Sequence, residues 1–325
     1  MKRDINVLLT VEEIINYAND QIENIKKQVS TGRVILGLSG GVDSSVCGAL
    51  LAKALPNNEQ LILVFVDHGF MRKNEGLEIE SAFKNTGAKF LRVDAEERFL
   101  EKLKNITDPE EKRKIIGTEF IRVFEEEAKK LERVDFFVQG TVYLDLLETG
   151  DKIKSHHNAA LPDIINFKGI IEPLSYLLKE EVRMLGRYLG LDSSLTERPP
   201  FPGPGLAVRV MGSITKEKLD ILREADAIFT EEIEKSNFTC QQYFAILTNT
   251  KTTGIRDGKR AYEYAVALRA VLSDNPDDFP ATCKPADLSY DFLDHVSKRI
   301  TNEVKGIGRV LYDITSKPPG TVEWE

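Results

Sequence analysis

The chain has 325 residues, of which 42% are hydrophobic and 30% are charged, and its formal net charge is −8. This length is enough for two domains, and the composition is ordinary for a globular protein. A net negative charge argues against broad, non-specific binding of nucleic acid, because such binding needs a basic surface. It does not exclude a local basic pocket for a single nucleotide.

The sequence also argues against a membrane protein and against a disulfide framework. No apolar run approaches the roughly 20 residues that a transmembrane helix needs, and the N-terminal residues contain no signal-peptide core. The three cysteines, Cys47, Cys240 and Cys283, lie far apart and form no C-x-x-C pair. They support neither disulfides nor a zinc site. A reducing cytoplasm is the location that this pattern favours.

Hydrophobic periodicity predicts alternating helices and strands through about residue 190. We expect helices at residues 11–29, 45–55, 75–86, 109–131 and 178–189, and strands at residues 34–38, 61–66, 89–93, 135–138 and 169–172. Continuous apolar strands such as residues 61–66 are typical of a parallel sheet that is covered on both faces. The alternation therefore predicts an α/β protein with a doubly wound parallel sheet.

The sharpest change in composition is RPPFPGPG at residues 198–205. A segment so rich in proline and glycine is neither helix nor central strand. We interpret it as the boundary between domains at residues 1–200 and 206–325, with a rigid linker that has no part in the chemistry as an equal alternative. The second segment is predicted to be a smaller mixed α/β domain, with strands at residues 206–211, 243–247 and 309–314 and helices at residues 215–235 and 287–304.

The first predicted strand is followed by SGGVDSS at residues 39–45. A strand, a glycine turn and a helix together direct backbone N–H groups and the positive end of the helix at an anion. Adjacent glycines let the backbone approach a phosphate with no Cβ in the way, and Asp43 places a carboxylate where a phosphate-bound Mg²⁺ would lie. We predict a nucleotide loop here, rather than an ordinary βα turn, formed by Ser39, Gly40, Gly41, Val42, Asp43, Ser44 and Ser45.

Further candidate residues follow other elements. Arg72 and Lys73 lie beyond the carboxyl end of the second strand, the edge at which open α/β sheets bind ligands. They are candidates for a lid over a triphosphate, with plain solvated charge as an equal alternative. The adjacent His156 and His157 lack a third ligand and are poor evidence for zinc. Lys154, two positions before His156, is a candidate phosphate contact.

The SGGVDSS pattern resembles the pyrophosphatase loop of enzymes that split ATP into AMP and pyrophosphate. From residue 39 to residue 325, the sequence resembles the ATP-pyrophosphatase part of GMP synthetase. The matching stretches are residues 39–45, 67–73, 111–117, 139–141, 154–158, 201–206, 300–306 and 312–325. The loop is shared by a superfamily of adenylating enzymes, whereas KSHHN at residues 154–158, FPGPGL at residues 201–206 and the tail at residues 312–325 single out this family.

The resemblance implies a ligase that forms a C–N bond and converts xanthosine monophosphate (XMP) to GMP. ATP would adenylate the purine oxygen at C2, pyrophosphate would leave, and ammonia would displace AMP. The implied cofactor is Mg²⁺, with ATP as co-substrate bound by the loop at residues 39–45 and by backbone groups of Val66. The implied XMP contacts are Arg113, Lys317 and Glu323. Arginine and lysine suit a phosphate or an electron-rich purine edge, and an ionised glutamate suits ring N–H groups.

Two stretches depart from the pattern of this family. The usual G-V-x-G-D-x-R-[ST]-Y is replaced by GIRDGKRAY at residues 254–262. The acidic residue is thus displaced by one position, which makes Asp257 a weak candidate for an XMP contact. HNAALP at residues 157–162 is one residue shorter than the usual form.

Glutamine hydrolysis in this family uses a module with a cysteine nucleophile in G-x-C-x-G, and none of the three cysteines fits that pattern. We therefore expect the synthetase subunit alone, as a homodimer that receives ammonia from a separate glutaminase subunit. Two alternatives stay open. One is another adenylating enzyme with this loop, such as NAD synthetase or a tRNA-thiolating enzyme. The other is a nucleotide sensor without turnover.

Overall fold

The computed structural model describes residues 7–56, 59–149, 167–273 and 281–325, and the side chains of residues 147–149 are not described. The candidates Lys154, His156 and His157, together with the shortened stretch at residues 157–162, lie outside the described residues. The chain divides into two compact units. The first comprises Met1–His68, Asn74–Ala95 and Gly117–Arg198, and the second comprises Gly69–Lys73, Glu96–Ile116 and Pro199–Glu325. The predicted domains at residues 1–200 and 206–325 stay a prediction.

The first unit contains a parallel five-stranded sheet. Its strands are β1 (Val34–Leu38), β2 (Leu61–Asp67), β3 (Lys89–Asp94), β4 (Phe136–Val138) and β5 (Gly169–Ile171). Their spatial order is β3-β2-β1-β4-β5, and every pair is parallel. The predicted α/β class with a parallel sheet is confirmed. The strand order reverses direction between β1 and β4, and such a switch point is where ligands bind in open α/β sheets.

The helices up to Arg198 alternate with these strands. They are α1 (Val11–Val29), α2 (Val42–Ala54), α3 (Glu75–Phe83), α4 (Glu96–Lys102), α5 (Pro109–Lys129), α6 (Tyr143–Thr149), α7 (Lys179–Leu189) and α8 (Ser193–Thr196). Helix α1 begins with a capping box, in which the Thr10 side chain accepts from the Glu13 N–H and the Glu13 carboxylate accepts from the Thr10 N–H. Such reciprocal bonds satisfy two of the donors that a helix start leaves open.

Helix α2 begins earlier than the sequence pattern predicts. Gly41 is the extended N-cap residue, with φ −73° and ψ 161°, so that Asp43, Ser44 and Ser45 all lie in the first turns rather than before the helix. The two serine hydroxyls do not cap the helix start. They donate back to the Gly41 carbonyl at 3.1 and 3.0 Å, which fixes the backbone where the glycine turn enters the helix.

Asp135, directly before β4, forms a hydrogen bond with Arg33, directly before β1, at the amino edge of this sheet. It is 4% exposed, accepts from the Arg33 N–H at 2.9 Å, and forms ion pairs with Arg133 at 2.9 Å and Lys168 at 2.8 Å. Burial opposes the charged carboxylate, but the bonds from Lys168, Arg33 and Arg133 outweigh it and lower the pKa of Asp135 to about 2. The ionised side chain therefore stabilises the folded state.

Asp135→Asn is expected to lower the free energy of unfolding at pH 7 by about 1 to 2 kcal/mol, a value reduced because its cationic partners are more than half exposed. The folded-state pKa lies below the unfolded value of about 3.9. The stabilisation is thus present above pH ~4 and is lost as the pH falls through about 2. Urea unfolding between pH 7 and pH 3 measures it, with the exposed Glu59→Gln as a neutral control. A difference that does not depend on pH would contradict the argument.

The second unit contains a four-stranded sheet with helices. The strands are β6 (Gln242–Arg256), β7 (Lys259–Leu272), β8 (Lys284–Pro285) and β9 (Ile307–Tyr312), and the helices after residue 198 are α9 (Lys216–Lys235) and α10 (Tyr290–Glu303), with a 3-10 helix at Gly205–Arg209. Strand β7 pairs antiparallel with β6 and β8 and parallel with β9. The predicted mixed α/β character is confirmed, although the pattern missed β7.

The displaced motif at residues 254–262 proves to be a β-hairpin. Asp257 and Gly258 both have positive φ, 51° and 76°, between the paired residues Arg256 and Lys259. Two such residues between antiparallel strands form the Asp-Gly turn that matches the twist of a hairpin. The candidate Asp257 therefore lies at an exposed hairpin tip.

The prediction of a strand at residues 206–211 is wrong. The chain there forms the 3-10 helix Gly205–Arg209, and Val210 makes a single bridge to Leu247. Gly205 has φ +62°, and an added Cβ would lie 2.3 Å from the Phe70 carbonyl oxygen, a position that only glycine tolerates. The close approach is fixed by the Leu206 N–H, which donates to that carbonyl at 2.8 Å. This backbone contact overrides the apolar strand pattern.

Among the described residues, no helix combines the length and the apolar character that crossing a lipid bilayer would require.

Candidate nucleotide site

The glycine loop at residues 39–45 forms hydrogen bonds between its own residues at the carboxyl end of β1. The Ser39 N–H donates to the Ser44 hydroxyl at 3.2 Å, the two hydroxyls lie 3.1 Å apart, and the Gly41 N–H donates to the Ser39 hydroxyl at 3.3 Å. Gly40 has φ +82°, which glycine adopts without a steric cost. These bonds hold the loop in a tight turn directly before α2. The first backbone N–H groups of a helix have no partner within the helix, so the turn and the helix start offer donors to an anion.

Asp43 presents a carboxylate in the first turn of α2. Its Oδ2 forms an ion pair with Lys179 at the start of α7, whereas its Oδ1 is buried and has no hydrogen-bond partner among the residues that the structure describes. A buried acceptor without a donor is costly unless a ligand satisfies it. In the described part of the chain, no group of three or more His, Cys, Asp or Glu side chains is arranged to hold a metal. A single carboxylate plus substrate phosphates is, however, the usual way in which proteins hold Mg²⁺, so Asp43 fits that ion.

Strand β4 ends beside this helix start. A Cβ on Gly140 would lie 3.4 Å from the backbone carbonyl carbon of Asp43, so the glycine permits a close approach of the two segments. The Gln139 N–H donates to the Ile171 carbonyl at 3.0 Å, which ties the end of β4 to β5. Val66 lies in β2 and is 1% exposed, and the pairing of β2 with β1 ends one residue earlier, at Phe65. Its predicted backbone contact with adenine stays a prediction.

Two basic residues at this edge, Lys179 and Arg198, are not among the candidates that the sequence pattern indicates. Lys179 pairs with Asp43, and Arg198 donates to the Gly40 carbonyl at 3.2 Å. Lys179 had only an ordinary charged helix start to mark it. Arg198 is the first residue of the proline-rich segment, whose composition indicates a domain boundary or linker and no ligand contact. In both cases the partner is more than a hundred positions away in sequence, so no local pattern indicated the contact.

In the second unit, the C-terminal tail binds the first turns of α5. Lys112 is fully buried, donates to the Val210 carbonyl at 2.9 Å and pairs with the Glu325 carboxylate, which also accepts from the Gly212 N–H at 2.9 Å. Burial lowers the pKa of Lys112, and the bond to Glu325 opposes this shift. The predicted XMP contact Arg113 donates to the backbone oxygen of Glu325.

Glu323, a second predicted XMP contact, forms a bidentate pair with a buried arginine. Arg209 donates from Nε at 3.0 Å and from Nη2 at 2.8 Å to the two carboxylate oxygens. The guanidinium is fully buried and lies over the rings of Phe244, at 3.9 Å, and Phe201, at 5.1 Å. Arg209 lies within the stretch that the apolar pattern predicts to be a strand, and no local pattern marks it as a partner of Glu323.

The remaining candidates in this unit have partners of other kinds. Lys317 forms a backbone bridge with Cys283, with bonds of 2.7 and 3.0 Å. Arg72 lies 3.5 Å from Asp226 and over the Phe201 ring at 4.7 Å, and Lys73 pairs with Glu224 at 2.6 Å. The bonds to Cys283 hold the backbone of Lys317, and the contacts with acidic and aromatic partners hold the side chains of Arg72 and Lys73. The predicted roles of Lys317 in XMP binding and of Arg72 and Lys73 in a phosphate lid stay predictions.

A tight glycine turn and the Asp43 carboxylate, whose Oδ1 is buried, lie at the carboxyl edge of a parallel five-stranded sheet. This arrangement is typical of α/β folds that bind ligands at that edge. Comparison with known proteins agrees with the fold. Residues 14–117 match the family model described as NAD synthase, and residues 231–324 match that of the GMP synthase C terminal domain.

Curated relatives carry the name GMP synthase [glutamine-hydrolyzing]. The protein from Treponema denticola is 56% identical over 317 residues, which are 95% of this chain and 60% of that protein. Those from Finegoldia magna and Clostridium kluyveri are 55% and 53% identical, again over 95% of this chain and 61% of theirs. The similarity to these relatives extends along nearly all of this chain. The chain spans about 60% of the length of these relatives.

A solved structure titled NMN synthetase from Francisella tularensis aligns with a TM-score of 0.46 and 14% identity, over 65% of this chain and 85% of that one. A similarity at this level supports no conclusion by itself.

Proposed function

We propose that this chain makes GMP from XMP, ATP and ammonia through an adenyl-XMP intermediate, releasing AMP and pyrophosphate. The observation that carries the proposal is the buried Asp43 Oδ1 in the first turn after the glycine loop, an acceptor for which the described part of the chain supplies no donor. The identity of more than half of all aligned residues to proteins named GMP synthase supports the choice of reaction.

The proposed chemistry divides one difficult step into two. The purine oxygen at C2 is a poor leaving group, and adenylation turns it into a good one. During adenylation the purine oxygen bonds to the α-phosphorus of ATP as the bond to pyrophosphate breaks, so negative charge builds on the departing pyrophosphate. Oriented donors stabilise such charge most effectively. The loop from Ser39 to Ser45 would bind these phosphates through backbone N–H groups and hydroxyls. Asp43 would hold Mg²⁺, which supplies positive charge to the phosphates when it is bound.

The residues proposed for XMP belong to the tail and to α5. Arg113, Lys317 and Glu323 would bind the nucleotide, as the resemblance implies, with Arg113 and Lys317 as cationic donors. Glu323 already shares its carboxylate with Arg209. A carboxylate has about four lone-pair positions, so this pairing leaves capacity for ring N–H donors. The buried Arg209 would hold the Glu323 carboxylate in the orientation for that task.

We further propose that glutamine hydrolysis takes place outside these 325 residues, on a separate glutamine amidotransferase subunit. The relatives' names include glutamine hydrolysis, and the present sequence contains no G-x-C-x-G nucleophile. A homodimer and a cytoplasmic location complete the proposal. The chain should use ammonium directly and release no glutamate from glutamine by itself. Light scattering tests the dimer.

One assay tests the central proposal. The purified chain is given ATP, Mg²⁺ and ammonium, with and without XMP, and both pyrophosphate and GMP are measured. We expect pyrophosphate release that depends on XMP, with one GMP formed for each pyrophosphate. Nicotinic acid adenine dinucleotide replaces XMP as the control for an NAD synthetase reaction. Turnover with that substrate, or nucleotide binding without any turnover, would overturn the proposal in favour of one of the two alternatives.

A further inference from the structure

Arg198 connects the glycine loop to α3 and α8. One guanidinium nitrogen, Nη1, donates to the Gly40 carbonyl at 3.2 Å and also to the Glu75 carboxylate, while Nη2 donates to Glu78 at 2.9 Å. Nε donates to the Ser194 carbonyl at 3.1 Å. Each of the three nitrogens thus has an acceptor, and the side chain is only 9% exposed.

The charge of Arg198 is balanced by its acidic neighbours. Glu75 is almost fully buried, with a side-chain exposure of 3%, and Glu78 is about half exposed at 46%. The guanidinium and its two carboxylate partners together carry no net positive charge that would attract a phosphate. Its contact with the loop is made to a carbonyl oxygen, an atom that a phosphate would repel.

We propose that Arg198 is a positioning residue for the nucleotide loop, which turns the Gly40 carbonyl away from the bound phosphates. The proposal rests on the function proposed above. In a planar trans peptide the carbonyl of Gly40 and the N–H of Gly41 point in opposite directions. A donor that fixes the carbonyl therefore also fixes the N–H on the other side of the peptide.

The bond that the Gly41 N–H makes supports this assignment. It donates to the Ser39 hydroxyl at 3.3 Å, which is longer than the usual 2.9 to 3.0 Å of a good hydrogen bond. A phosphate oxygen can replace so weak an acceptor. Gly40 has a positive φ and no side chain, so nothing within the residue itself prevents its peptide from rotating. Arg198 supplies the missing restraint from a distance of 158 positions in sequence.

The first test is Arg198→Met, which keeps the length of the side chain and removes its donors. We expect the dissociation constant for Mg·ATP, measured by calorimetric titration, to rise about tenfold to a hundredfold, the loss that follows from a charge-assisted hydrogen bond. Affinity for XMP should stay within twofold. Arg198→Lys should recover part of the loss. The matched control is Arg187→Met, an arginine of α7 that is 46% exposed and pairs with Glu180.

Glu75→Gln separates positioning from direct phosphate binding, because the two roles predict opposite signs. If Arg198 positions the loop, removing the charge of Glu75 loosens the guanidinium and weakens ATP binding. If Arg198 binds phosphate directly, removing the competing carboxylate frees it and strengthens ATP binding. We expect weaker binding in Glu75→Gln. Circular dichroism of each variant checks that the fold is retained, and Arg198→Lys replaces Arg198→Met in the comparison if the latter does not fold.

The outcomes distinguish this inference from the proposed function. If the unaltered chain does not bind Mg·ATP, both the proposed function and the positioning role of Arg198 are wrong. If it binds Mg·ATP but Arg198→Met and Arg198→Lys bind it as well as Arg187→Met does, only the role of Arg198 falls. Equal losses of ATP and XMP affinity would indicate general damage to the structure and would overturn the inference as well.

Discussion

Asp43→Ala is expected to reduce XMP-dependent pyrophosphate release by at least about a thousandfold while leaving the fold intact. Removing a single group that stabilises transition-state charge costs about 10²- to 10³-fold, and loss of a metal ligand adds to this. The fold should tolerate the change, because one carboxylate oxygen has no partner within the described ranges and the other is in an ion pair with Lys179, whose side chain is about half exposed. A steady-state pyrophosphate assay and a thermal melt measure the two quantities.

The role of Asp43 as a Mg²⁺ ligand requires its own control. Asp43→Asn keeps the shape of the side chain and should raise the Mg²⁺ concentration needed for half-maximal activity. Glu180→Gln, at an exposed carboxylate of α7, should leave the Mg²⁺ dependence unchanged. An Asp43→Ala variant that retains activity would remove Asp43 from the metal role, and an unchanged Mg²⁺ dependence in an active Asp43→Asn variant would do the same.

Arg209→Met is expected to destabilise the second unit by about 3 to 5 kcal/mol. The guanidinium is fully buried, stacks on Phe244 and accounts for both oxygens of Glu323. Removing one partner of a buried ion pair leaves the other charge uncompensated, which is more costly than losing the attraction itself. Trp324 is the only tryptophan of the chain, so its fluorescence during urea unfolding reports on the tail.

A double variant tests the reason for that loss. Arg209→Met combined with Glu323→Leu removes both charges, and an apolar replacement of a buried pair is often nearly neutral. The double variant should therefore recover much of the stability that the single variant loses. Arg260→Met, at an exposed position near the hairpin tip, should have no effect. Equal stabilities of Arg209→Met and the unaltered chain would show that the pair does not hold the tail in place.

Local pattern was sufficient for the parallel sheet. Strand β2 is buried at six of its seven residues, and a strand covered on both faces must be apolar throughout, so its sequence alone indicates it. Strand β7 is not predicted from the sequence, because the first part of the strand is polar and largely exposed or intermediate in burial. Its apolar second part lacks a distinct period. The Asp-Gly pair at positions 257 and 258 was the available signal for the hairpin. The error at residues 206–211 had a different cause, since a tertiary contact to Phe70 set the backbone there.

The sequence by itself determined the α/β class, the parallel sheet and the position of the glycine loop, because burial and turn formation depend on residues that are neighbours along the chain. Only the tertiary structure decided which groups these residues meet. Lys179 pairs with Asp43 across 136 positions, Arg198 reaches Gly40 across 158, and Arg209 reaches Glu323 across 114. Such pairings depend on the positions of the side chains in the folded backbone. Hydrophobic periodicity reports only on neighbours along the chain, so it cannot predict these contacts.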